Sequence, residues 1–154
     1  MSVATTASYA VHMVVGAVWV GAIAFLAVGV LPLARDGTLN AEPLGRLAGT
    51  LQTLSRYAAV FLLATGIHLG VVRGYGAAGL ADPRSHLVVT MAGLWFVTTG
   101  LVEVGSGKLV DGTDRDKVRE PAREATRFLQ AAAVGGSLIL VVAALLLGRY
   151  VGAA

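Results

Sequence analysis

Four stretches of the chain contain no Asp, Glu, Lys or Arg: residues 1–34, 57–72, 85–102 and 128–148. A helix crosses about 30 Å of hydrocarbon in about 20 residues, at about 1.5 Å per residue. The pattern therefore predicts four membrane-spanning helices, near 8–33, 45–73, 84–107 and 122–150. The second stretch is short, so its helix must begin before Arg56. Met1–Ala7 has no positive charge ahead of the apolar run, so the first helix reads as a retained span rather than a cleaved signal. The predicted fold is all-α: a single transmembrane domain over 1–154, built as a four-helix up-down bundle.

Composition sharpens this reading. Of 154 residues, 56% are hydrophobic and 14% charged, and mean hydropathy is +0.75. A water-soluble domain carries about 25% charged residues, so too few are present to cover a soluble surface. There is no cysteine, which excludes disulfides, thiolate metal sites and cysteine nucleophiles. The net charge of +3 fits basic residues retained on the cytoplasmic side of a membrane, not nucleic-acid binding. Arg35, Arg46, Arg56, Lys108, Arg115, Lys117, Arg119, Arg123 and Arg127 fall toward one side, and Arg73, Arg84 and Arg149 toward the other. Nine against three predicts a multi-pass protein of a prokaryotic cell membrane with both termini outside.

The second half echoes the first. His12-Met-Val-Val returns as His86-Leu-Val-Val, 74 residues on. Asp36-Gly37-Thr38 returns as Asp111-Gly112-Thr113, Glu42-Pro43 as Glu120-Pro121, and Leu69-Gly70 as Leu147-Gly148. Four matches in one order suggest a duplicated two-helix unit, repeated about an axis along the membrane normal.

The candidate chemistry lies in the histidines. His12, His68 and His86 all fall near the outer ends of their helices, and the repeat sets Leu146 opposite His68. Ionisable groups at membrane depth default to functional candidates. Two chemistries use such a layer. Imidazole is an axial ligand of b-type haem, which bundles hold between facing helices. The first and third helices are diagonal in an up-down bundle, so His12 and His86 would flank an iron. His68 would replace one of them or meet a propionate, with Arg73, Arg84 and Arg149 available for carboxylates. The alternative is copper, held by the same three histidines with Met13 as a further donor, and with Met91 deeper on a path.

Trp19 shares a helix face with His12 and is expected beneath a bound cofactor or in bundle packing. Trp95, nine residues after His86, is expected on the opposite face, toward lipid or a neighbouring subunit. Tyr9, Tyr75 and Tyr150 fit an outer aromatic belt. Arg56 and Glu103 are expected to pair across the second and third helices. Gly16, Gly21, Gly66, Gly70, Gly135 and Gly136 allow close helix approach, or room for a flat macrocycle. No phosphate loop, metalloprotease motif or nucleophile elbow is present.

His12-Met-Val-Val-Gly-Ala-Val-Trp19-Val-Gly21, followed by Leu31-Pro32-Leu33, resembles the opening helix of the copper-resistance-D (CopD-like) membrane family. The same His-to-Trp spacing occurs in the related HemJ-type four-helix haem proteins, and Thr65-Gly66-Ile67 resembles the end of their matching helix. The HemJ type carries a lysine where this chain has Val88, and an acidic residue where it reads Gln130-Ala-Ala-Ala; both differences argue against protoporphyrinogen oxidation. The resemblance implies a haem- or copper-binding scaffold.

The leading expectation is a haem b protein with His12 and either His86 or His68 as ligands. It would carry electrons near the outer face, as a haem-dependent membrane oxidoreductase or an electron-transfer protein. Its partners would be the lipid bilayer and a quinone or an extracytoplasmic electron or copper carrier. Assembly as a homo-oligomer is compatible. A copper-binding or copper-transport protein and a non-catalytic accessory subunit are the alternatives.

Overall fold

The computed structural model describes residues 2–75 and 83–151, with side chains through Gly148. Four helices account for nearly all of them: α1 (Val3–Asp36), α2 (Ala41–Val72), α3 (Pro83–Thr113) and α4 (Arg119–Val151). All four are long and apolar enough to cross a membrane. α1 and α3 each pack on both α2 and α4, so α1 and α3 face each other across the diagonal of the bundle. Each helix runs a few residues past its expected limits at the charged end. Short polar turns leave little chain to spend outside the helices.

Local sequence explains the ends and the irregularities. Ser2 caps α1 by accepting from the Thr5 N–H at 3.2 Å. α1 stops at Gly37, whose φ of +78° suits glycine. Residues Phe25–Val30 of α1 are π-helical, and the Leu31 N–H reaches back to the Leu26 carbonyl. Pro32 follows directly. Its ring crowds the preceding turn and it has no N–H to donate, which accounts for the widened ladder. Pro43 and Pro121 sit in the first turns of α2 and α4, where a missing N–H costs nothing.

Seven hydroxyls inside the helices are satisfied by their own backbone, whereas Thr98 Oγ1 is buried without a partner among the described residues. Thr50, Thr65, Thr99, Ser106, Thr113, Thr126 and Ser137 each donate to the carbonyl four residues before. That is what a chain surrounded by lipid requires. The expected Arg56–Glu103 pair is present and bidentate, at 3.1 and 3.0 Å, and Gln52 adds a third donor to the carboxylate at 3.1 Å.

Packing is uneven along the bundle. The buried apolar core runs through Trp19–Ala34 of α1, Leu44–Leu62 of α2, Val102–Leu109 of α3 and Ala122–Ala132 of α4. All of these lie toward the charged turns and away from the termini. Close contact is made possible there by glycines. At Gly105 an added Cβ would sit 2.7 Å from Leu129 Cγ, and at Gly136 it would sit 3.0 Å from Val20. In the half nearer the termini, an added Cβ at Gly70 would meet nothing within 4 Å. One half of the bundle is sealed and the other is hollow.

This asymmetry makes a direct prediction. Gly105→Val should destabilise the bundle by about 1–3 kcal/mol through overpacking. Gly70→Ala in the hollow half, with nothing within 4 Å of its added Cβ, should be neutral or stabilising by up to about 1 kcal/mol. Denaturation of both variants in one detergent checks the pair.

Candidate functional site: a lipid-side cavity beside His12

The hollow half encloses a cavity of about 770 Å³ between all four helices. A smaller pouch of about 60 Å³ continues toward Tyr9 and Leu146 and shares His12, Met13 and Met91 with it. The walls are mostly aliphatic. Trp19 and Val20 lie at the sealed end, and Gly66 and Gly70 interrupt the aliphatic side chains of the α2 wall. Leu63, Ile67 and Val71 on one stripe of α2, with Val89 on α3, line the cavity yet are 50–75% exposed. Among the described residues, the cavity therefore opens sideways between α2 and α3, at the depth of the apolar spans.

His12 is the one imidazole in the lining. Its Nδ1 lies 2.7 Å from Thr65 Oγ1, while that hydroxyl lies 2.6 Å from the Phe61 carbonyl. A hydroxyl has one hydrogen, and the carbonyl can only accept it. Thr65 therefore accepts from an Nδ1–H of His12. A neutral ring in this tautomer keeps its lone pair on Nε2, which has no hydrogen bond among the described residues. A ring nitrogen held by a second partner while the other is left bare is how proteins orient an imidazole ligand. Gly66 makes room for the ring: a Cβ there would stand 3.4 Å from His12 Cε1.

The other two histidines do not join His12. His86 is exposed on the outer surface of α3 and is not in the cavity wall. His68 is half-buried outside the lining, and its Nε2 is buried without a hydrogen-bond partner. Among the described residues, no three His, Cys, Asp or Glu side chains gather as a metal site. Axial position was legible in the sequence, but direction around each helix was not.

Two aromatic expectations are corrected by the same geometry. Trp95 does point away from His86, as the nine-residue spacing requires. Because His86 faces outward, Trp95 faces in and lines the cavity rather than lipid or a neighbouring subunit. Tyr75 is buried in the cavity wall instead of lying in an exposed belt, and its carbonyl accepts from Ser85 at 2.8 Å. Trp19 is fully buried, lines the cavity, and donates from Nε1 to the buried Ser55 Oγ at 2.9 Å. Ser55 was missed, and the spacing of Trp19 carried no signal for it. Arg73 stacks its guanidinium 5.2 Å from the Tyr9 ring centroid and lies outside the cavity wall. The side chains of Arg149 and Tyr150 lie outside the described residues.

The lining also shifts the register of the repeat. His12, Met13, Gly16 and Trp19 of α1 are matched at a spacing of 76 by Val88, Val89, Ala92 and Trp95 of α3, all in the wall. At a spacing of 74, none of the four counterparts lines it. Two residues turn a helix by about 200°, so the repeated His-x-Val-Val motif places one histidine inward and the other outward.

The described residues thus define an all-helical, four-helix bundle suited to a membrane, hollow at the end bearing its termini. Searches against protein-family models, curated proteins and solved structures give no match to this chain.

Trp19→Phe should cost about 1–3 kcal/mol, because it leaves the buried Ser55 oxygen without its donor. Adding Ser55→Ala should recover part of that loss. Denaturation of the single and double variants tests whether this bond holds the sealed end of the cavity.

Proposed function

We propose that the chain is a b-type haem protein of the membrane, in which His12 would hold the iron, with an electron-transfer or redox role. The observation that carries this reading is the bare Nε2 of a Thr65-oriented imidazole in the wall of a large apolar cavity. A volume of about 770 Å³ is in the range of sites that enclose whole cofactors. The aliphatic walls suit a porphyrin's faces, and Gly70, with nothing within 4 Å of an added Cβ, leaves open space on the α2 wall. The residues present therefore fit the group on volume, polarity and donor chemistry.

Bound there, haem would supply one-electron redox chemistry. The chain's own contributions are distinct. Thr65 fixes the direction of the His12 ring. The aliphatic walls exclude water. The opening between α2 and α3 gives a lipid-soluble carrier such as a quinone a route from the bilayer. Arg73 and Arg84 stand at the same end of the bundle, where propionates would need cations. With the Lys/Arg bias read as positive-inside, this end faces outward, within reach of an extracytoplasmic carrier.

Copper is the second reading, because His12, Met13 and Met91 share both the cavity and its pouch. Imidazole and thioether are suitable donors for Cu(I). A bare ion would leave most of the volume unused, so haem is favoured.

The purified protein should show a Soret band that shifts on reduction by dithionite. His12→Ala should abolish haem retention, whereas His68→Ala and His86→Ala should retain it. Thr65→Val keeps the shape but removes the acceptor, and should weaken haem affinity roughly 10–100-fold. A colourless protein that keeps copper through purification would replace the haem reading with the copper one. Full haem retention by His12→Ala would overturn the assigned site.

A further inference from the structure

We infer that Met91 is the second side chain that would hold the group, from the α3 side of the cavity across from His12; this rests on the haem reading above. The loss of His68 and His86 from the cavity leaves few candidates for that place. Among the described lining residues, the remaining soft donors are the thioethers of Met13 and Met91. Met13 is the neighbour of His12 on the same helix and cannot approach a group from the opposite side. Met91 is on α3, across the diagonal from α1, and lines both the cavity and its pouch.

The depth of Met91 follows from the contacts between antiparallel neighbours. Gly136 lies against Val20 and Gly37 against Arg119, so residue numbers of α1 and α4 at one level sum to 156. Gly105 lies against Leu129 and Gly135 against Thr98, so those of α3 and α4 sum to 233 or 234. Passing from His12 through α4 therefore arrives at residues 89–90 of α3. By the other route, His12 lies against Gly66, and Gly45 against Thr113 gives a sum of 158 for α2 and α3. That route arrives at residue 92. Met91 lies between the two answers, level with His12. Neighbouring helices stand about 8–10 Å apart, so the diagonal is about 11–14 Å. An imidazole and a thioether reaching inward can share one metal centre across that span.

The alternative is a five-coordinate site, with His12 alone on the iron. Haem-loaded protein separates the two, read by ferric optical and electron paramagnetic resonance spectra and by reduction potential. Met91→Leu conserves volume, so the fold should survive. The wild type is expected to be six-coordinate and low-spin, and Met91→Leu to become high-spin with haem still bound. Met13→Leu is expected to leave the spectrum unchanged. Met91→His should restore a low-spin spectrum at a lower potential than the wild type, since methionine ligation raises potential. A Met91→Leu spectrum identical to the wild type, or a high-spin wild type, would overturn the assignment while leaving His12 as ligand. Failure of the wild type itself to bind haem would overturn the haem reading and this assignment together.

Discussion

Helices in a bilayer gain little by hiding apolar side chains from lipid, so they are held by close contact. In this chain that contact is concentrated in one half of the bundle. Leu129 closes over Gly105 and Val20 over Gly136, and the buried core lies at the same end. The remaining features depend on this concentration. With the helices fixed at the charged end, they can stand apart at the other without losing their arrangement. Glycine serves both ends: in the sealed half it lets a neighbouring helix come close, at Gly66 it admits the His12 ring, and at Gly70 it leaves space.

A cavity among lipid-facing helices has few ways to orient a polar group. Backbone carbonyls are used within the helices, and water is scarce. The chain from His12 through Thr65 to the Phe61 carbonyl meets this constraint with one side chain between the ring and the backbone. The direction of the hydrogens follows from the one group that can only accept. At the sealed end, Trp19 and Ser55 form the corresponding polar contact between α1 and α2. The two bonds tie α1 to α2 near the opposite limits of the cavity.

Much of the architecture was legible in the sequence because charge in a lipid environment is a one-dimensional signal. Uncharged stretches gave the four spans and the up-down order. Depth counting alone was enough to pair Arg56 with Glu103. The direction of a side chain around its helix is a different matter in a chain this apolar. α3 has lipid on one side and a cavity on the other, and both accept Val, Leu and Ala. Hydrophobicity could not say whether His86 or Trp95 faced inward. The sequence spacing of 74 placed His86 with His12, whereas the lining follows a spacing of 76. Ser55 was invisible for the same reason: a serine in a helix ordinarily bonds its own backbone, and its contact with Trp19 exists only once α1 and α2 have met.

In the proposed function, a metal-bearing cofactor sits on His12 at the hollow end of the bundle. A crystal structure of the purified protein with anomalous scattering collected at the iron edge tests it most directly. A single iron peak is expected inside the cavity, within bonding distance of His12 Nε2. An iron peak at His68 or His86, or a cavity filled by lipid chains with no metal beside His12, would contradict it.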